Sequence, residues 1–242
     1  MKKILYRIVL VLCLLLLIYS SYSIIKWFLE NNKSNDIKTH VVKITAIEEE
    51  KDKYPYISID FTNLLKENNK VKGWIQVPNT NINYPVLQYS DNDYYLNHDY
   101  YNNYSTAGWI FLDYRNNNDD TNMILYGHNR LDGSMFGTLK DTLKEDYLNK
   151  NKYIYFNTLD SKNTYEVFSV YKINASKFNA YTNFQSDEEY NNYINEIKNR
   201  SIIKLDVDIN TNDKIITLYT CDNNNVDRTI LHAKLIQTKS NS

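Results

Sequence analysis

The strongest pattern along the chain is an unbroken apolar run. Residues 8–25 carry no charge and are aliphatic at their centre, through Val9, Leu10, Val11 and Leu12 and again over 14–18. At a helical rise of ~1.5 Å per residue this run covers about 27 Å, close to the hydrocarbon thickness of a bilayer. The run has no polar face, which argues against a buried core helix. Lys2, Lys3 and Arg7 precede it, so the positive-inside rule keeps the N-terminus in the cytoplasm and exports the rest of the chain. Ser20, Ser21 and Ser23 raise the competing reading of a cleaved signal peptide. No A-x-A-like site comes after them, however, and the run exceeds a usual signal core. These patterns predict a membrane anchor over 1–29, a polar stalk over 30–55 with one apolar patch (Val41, Val42, Ile44, Ile47) and some helix, and an external domain over 56–242.

Within that domain the signals are mostly those of short strands. Asp60 followed by Phe61, Leu64 and Leu65 predicts a short capped helix. Strands are then expected at 74–77, stopped by Pro78, and at 82–88, where Pro85 suggests an edge or a bend. Further strands are expected at 108–114, 122–128, 153–157, 164–173, 214–221 and 229–236, with one or two short helices in 133–148. One stretch has a helical period: Tyr190, Tyr193, Ile194 and Ile197 share a face over 187–200. Asp187 stands near its start, and Lys198 and Arg200 near its end, as the helix dipole favours. Many short strands with one inserted helix predict a mostly β, barrel-like domain with helical decorations.

Composition adds little. Of 242 residues 43% are apolar, and the net charge is −1, so no basic stripe outside the extreme N-terminus invites nucleic acid. Tyr and Asn are abundant, which reads as nucleotide bias in the source genome. Export changes the meaning of the two cysteines. Cys13 lies in the apolar run, leaving Cys221 alone in the external domain: an unpaired thiol kept for chemistry, or a buried structural residue.

Cys221 ends a β-branched and aromatic strand and is followed by a polar loop, Asp222, Asn223, Asn224 and Asn225. A nucleophile at a strand end combines a rigid backbone with access to a cleft. Arg228 opens the next strand, and a short loop would return it beside Cys221, where a guanidinium lowers a thiol pKa and holds an oxyanion. Alone, Arg228 reads as a solvated turn charge. Of four histidines, His40 falls in the stalk, His98 in a polar loop, and His232 on a strand as a packed or surface residue. His128 ends its own strand, as Cys221 does, and a Cys–His pair gives the thiol proton somewhere to go. Asp113 is either a turn carboxylate serving Arg115 or a group that orients His128.

Together these segments resemble the sortase family, class B. The stretch Thr217-Leu218-Tyr219-Thr220-Cys221 is similar to its TLxTC signature, Arg228 follows on the next strand, and Leu125-Tyr126-Gly127-His128-Asn129 resembles its histidine segment. Phe111-Leu112-Asp113-Tyr114-Arg115-Asn116, Asn92-Asp93-Tyr94-Tyr95-Leu96 and the helix over 187–200 are similar to class B features. The resemblance runs from about residue 60 to 236. It implies an eight-stranded sortase barrel behind a transmembrane helix, and a cysteine transpeptidase with Cys221, His128 and Arg228 as catalytic residues. It also implies a peptide groove with Asn92, Leu96, Tyr181, Thr182 and Thr220, although solvation suits Asn92 and core packing suits Leu96 and Tyr181 equally. The implied partners are exported surface proteins bearing a sorting motif cleaved after Thr, and a peptidoglycan cross-bridge or stem-peptide amine. No cofactor or metal is implied. A pilus-polymerising sortase uses the same residues, and a non-enzymatic surface-binding module is the rival of another class. An L,D-transpeptidase would hold its His and Cys in one compact motif, unlike His128 and Cys221.

Overall fold

The structure, a computed structural model, describes residues 2–221 and 227–241. Helix α1 (Lys2–Lys43) is continuous for 42 residues and is long and apolar enough to cross a membrane. Its residues up to 29 are exposed. Beyond them Asn31, Ser34, Ile37 and Val41 are buried, spaced three, three and four apart as one stripe of a helix.

The segment over 30–55 is therefore not a free stalk. Its first half is helix docked on the domain, and its second half enters a hairpin of β1 (Ile47–Lys51) and β2 (Pro55–Ile59), with Ile47 opposite Ile59 and Lys51 opposite Pro55. The run Glu48, Glu49 and Glu50 concealed β1, since charge of one sign reads as solvated loop. The hairpin is committed through Tyr56, Ile57 and Ile59, all buried on β2.

Helix α2 (Thr62–Glu67) comes next, with the Asp60 carboxylate accepting from the Thr62 amide at 2.9 Å. Eight further strands close a barrel: β3 (Val71–Gln76), β4 (Asn83–Leu87), β5 (Phe111–Leu112), β6 (Asn122–His128), β7 (Tyr153–Thr158), β8 (Ser161–Asn174), β9 (Ile215–Cys221) and β10 (Asp227–Ser240). Around the barrel they run β10-β8-β7-β3-β4-β5-β6-β9, and β9 pairs with β10 to close it. The β4–β5 and β6–β9 pairs are parallel. Pro85 lies opposite Trp74 but not at an edge. Strands β4 and β5 meet only at Leu87 and Phe111, so Pro85 is asked for no amide bond on that side, and its carbonyl accepts from the Trp109 indole at 2.9 Å.

Trp74, Ile75, Val86, Phe111, Leu125, Phe156, Val170, Ile216, Leu218 and Leu231 of the barrel strands belong to the main core. Helix α3 (Glu145–Leu148) follows a short 3-10 turn at Leu139–Leu143. Helix α4 (Asp187–Arg200) starts at Ser186, whose hydroxyl accepts from the Glu189 amide at 3.2 Å, and has three acids in its first turn and Lys198 and Arg200 in its last. It packs Tyr190, Tyr193, Ile194 and Ile197 with Phe168 and Tyr171 of β8, Ile215 of β9 and Ile230 of β10 in a second core.

Candidate active site

Register brings the three expected residues into one row. In the parallel β6–β9 ladder His128 lies opposite Cys221, and in the antiparallel β9–β10 ladder Arg228 lies opposite the same Cys221. Neighbouring strands are about 4.8 Å apart, so the row spans roughly 10 Å. The row is also an end: β6 and β9 stop there, and β10 has begun one residue earlier. Ladder bonds fix each backbone at the row. The polar loop read at Asp222 to Asn225 lies outside the described residues.

The His128 ring is held by the neighbouring loop. Its Nε2 lies 2.8 Å from the Leu96 carbonyl oxygen. A carbonyl only accepts, so Nε2 carries a proton, and Nδ1 is where the ring gains or gives one up. Gly108 sets the spacing. Its φ is +60°, and a β-carbon there would lie 2.6 Å and 2.8 Å from the Tyr95 and Leu96 carbonyl oxygens and 3.0 Å from His128 Cδ2. Only glycine admits that approach without strain. On the other side of the row Arg228 Nε donates to the Tyr219 hydroxyl at 3.1 Å, and its guanidinium carbon is 5.8 Å from the Tyr219 ring centre. Tyr219 stacks edge-on against Tyr126 and packs on Phe178. Sequence reasoning passed over Gly108 and Tyr219. A signal for Tyr219 existed, since it lies two residues before Cys221 in the same strand.

The expected groove residues divide. Leu96 reaches the row, through its carbonyl. Thr220 adjoins it, buried between Gly127 and Thr229 in the ladders. Asn92 lies farther along the wall: its amide donates to Asp113 at 3.1 Å and its oxygen accepts from the Tyr114 amide at 3.0 Å. Tyr181 and Thr182 are not brought to the row. Their carbonyls accept from the side chain and backbone amide of Asn122, at 2.7 and 2.9 Å, at the opposite end of β6. Six residues of strand, about 20 Å, separate Asn122 from His128. The Tyr181 ring packs with Phe184 and Tyr193 beside α4. What places this segment is the polar capping of β6 and the α4 core.

Asp113 does not bond His128. It is fully buried and accepts two bonds from the Arg115 guanidinium (2.9 and 2.7 Å), one from the Arg115 amide (2.9 Å) and one from Tyr126 (2.9 Å). Burial alone would raise its pKa; the Arg115 fork, that amide and the Tyr126 hydroxyl overcome this and hold it below the usual carboxylate value. His232 is packed: it is fully buried, with Nε2 3.0 Å from the Tyr171 hydroxyl and Nδ1 2.9 Å from Thr217 Oγ1. Thr217 gives its own proton to Asn122 at 2.8 Å. His232 Nδ1 must then be the donor to Thr217, and Nε2 the acceptor from Tyr171. Burial, and to a lesser degree the Arg200 charge, push its pKa down to about 3, so the ring is neutral.

Known proteins resemble this chain over most of its length. The sortase domain family matches residues 75–236. Sortase B of Staphylococcus aureus is 37% identical over 187 residues, covering 75% of this chain and 77% of that protein. The crystal structure of sortase B from Bacillus anthracis in complex with AAEK1 superposes with a TM-score of 0.77 at 36% identity, covering 87% of this chain and 99% of that one. The Staphylococcus aureus sortase B–substrate complex superposes with a TM-score of 0.70 at 38% identity, covering 73% and 84%.

Proposed function

Because this chain belongs to the sortase family as a class B cysteine transpeptidase, we propose that it cleaves exported proteins at a C-terminal sorting motif after Thr and joins them to a peptidoglycan amine. The observation that supports this most is the single register row of His128, Cys221 and Arg228 at one end of the barrel.

The Cys221 thiolate attacks the carbonyl carbon of the motif's Thr, forming a C–S bond and an oxyanion. Arg228 stabilises that charge in a partly desolvated site. His128, as the imidazolium, passes a proton to the departing amine as the C–N bond breaks, leaving a thioester on Cys221. A cross-bridge or stem-peptide amine then attacks the thioester, gives up a proton to His128, and releases the thiolate. The Leu96 carbonyl serves His128 in both steps by accepting from Nε2–H, which fixes the ring and leaves Nδ1 for the proton transfer. Leu96, Thr220 and Asn92 border the peptide groove in this scheme, whereas Tyr181 and Thr182 take no part.

Residues 8–25 cross the cell membrane, with Lys2, Lys3 and Arg7 on the cytoplasmic side and 56–242 outside, where both substrates lie. The test is a competition among acceptors. The full chain is given N-P-x-T-N-like and S/P-P-x-T-G-like peptides together with a cross-bridge amine, a stem-peptide amine and a pilin-like lysine peptide, and the products are read by mass spectrometry. Joining to a wall amine supports the proposal. Joining to the lysine peptide alone would make the enzyme a pilus polymerase.

A further inference from the structure

Helix α1 ties the barrel to its apolar run at one particular place. Residues 2–29 are all exposed, and contact with the domain begins at Glu30 and Asn31. There Glu30 accepts from the Thr106 hydroxyl at 2.5 Å, Asn31 accepts from the Arg130 guanidinium, Arg130 also donates to the Thr106 carbonyl at 3.3 Å, and Lys33 pairs with Asp99 at 3.1 Å. Ile37 and Val41 continue the contact into the main core. These partners belong to the active-site end. Arg130 is two residues past His128, and Thr106 is two residues before Gly108, on which the His128 ring rests.

The height of this junction is set by the helix. Only residues 26–29 lie between the apolar run and the first docked residue, about 6 Å of α-helix. The headgroup layer on each side of a bilayer is about 5–7 Å thick. Trp27 and Phe28 occupy that interval, as aromatic side chains do at membrane interfaces. The loop over 99–106 and the turn at 130–131 therefore begin where the headgroups end. Their most exposed large apolar side chains are Tyr104, 67% exposed with its ring edge-on to His98, and Leu131, 74% exposed. Each lies within two residues of a group that grips α1.

We propose that Tyr104 and Leu131 form a membrane-contact rim that seats in the headgroup layer of the bilayer crossed by this chain's own helix. The rigid helix and the rim give two separated points of attachment, which hold the His128–Cys221–Arg228 end of the barrel toward the membrane rather than toward the wall. The rim rests on the anchor reading given under the proposed function, and its test separates the two.

p-Benzoylphenylalanine is placed in turn at Leu16, Tyr104, Leu131 and Asp119 of the full chain. Leu16 lies in the apolar run, and Asp119 is exposed at the opposite end of β6. Each protein is reconstituted in phosphatidylglycerol/phosphatidylethanolamine vesicles, checked for peptide cleavage as evidence of folding, and irradiated; lipid adducts are read by mass spectrometry. The expected result is lipid adducts at Leu16, Tyr104 and Leu131 and none above background at Asp119. Adducts at Leu16 without adducts at Tyr104 and Leu131, or adducts at Asp119 equal to those at the rim, would overturn the rim and leave the anchor standing. Absence of adducts at Leu16 would overturn both.

Discussion

His232 and His128 show how the same side chain takes different roles within one barrel. His232 is enclosed, neutral, and fixed as one tautomer by Tyr171 and Thr217, whereas His128 stands at a strand end on the Leu96 carbonyl. The buried ring makes stability depend on pH. Its folded pKa, about 3, lies below the ordinary 6.5, so as pH falls below about 6.5 the unfolded chain takes up a proton that the folded one refuses. Stability is full above that value and falls at up to about 1.4 kcal/mol per pH unit toward the folded pKa. Urea midpoints should therefore drop between pH 7 and pH 4, and His232→Gln should be less stable at pH 7 but visibly flatter in its pH dependence. An unchanged slope would place the titration elsewhere. At the row itself, Arg228→Ala should lower kcat by about 10²–10³-fold, the cost of one oxyanion donor, with the urea midpoint nearly unchanged. The strand-end placement of Cys221 and His128 was legible in the sequence, because each closes an apolar run. The Asp113 partnership was not, since one carboxylate near both Arg115 and a strand-end histidine suits either, and only the fold decides.

Among the elements, β6 and β9 were legible nearly to the residue, because each is a short apolar run buried on both faces and bounded by polar residues. The expected strand at 108–114 shrank to Phe111–Leu112. Gly108 turns the chain with a positive φ, and Trp109 and Ile110 bond to Tyr95 and Leu87 as loop rather than ladder. That turn brings the backbone against His128. Gly108→Ala should push the ring off its carbonyl partner and lower kcat by at least tenfold, with a smaller loss of stability of about 1–3 kcal/mol from the strained backbone. Steady-state kinetics beside thermal unfolding separates the two effects, and equal kcat in the variant would remove Gly108 from any positioning role. Tyr181 and Thr182 lie away from the row. The loop between β8 and α4 is bound by its carbonyls to Asn122 at the far end of β6, a contact with no periodic signature.

For the whole molecule, the sequence pattern separated the apolar run from the β-rich domain but hid how the helix joins them. The docked stripe of α1 mixes Asn31 and Ser34 with Ile37 and Val41, so its periodicity carried half the usual apolar signal, and the polar surroundings read as a stalk. Ile37 is 7% exposed and part of the main core. Ile37→Ala should cost about 2–5 kcal/mol, seen as a lower urea midpoint of the full chain in detergent. A negligible change would mean that the helix rests on the barrel without stabilising it. The helix that carries the apolar run is thus part of the domain's own packing.

The most direct test of the catalytic account is trapping of the acyl enzyme. Full-length protein, alongside Cys221→Ala and His128→Ala, is mixed with sorting-motif peptides, quenched in acid and digested, and the peptide holding Cys221 is weighed. The account predicts a thioester to the motif's Thr on Cys221, absent in Cys221→Ala and strongly reduced in His128→Ala. Peptide cleavage that persists in Cys221→Ala, or an adduct carried by another residue, would contradict it.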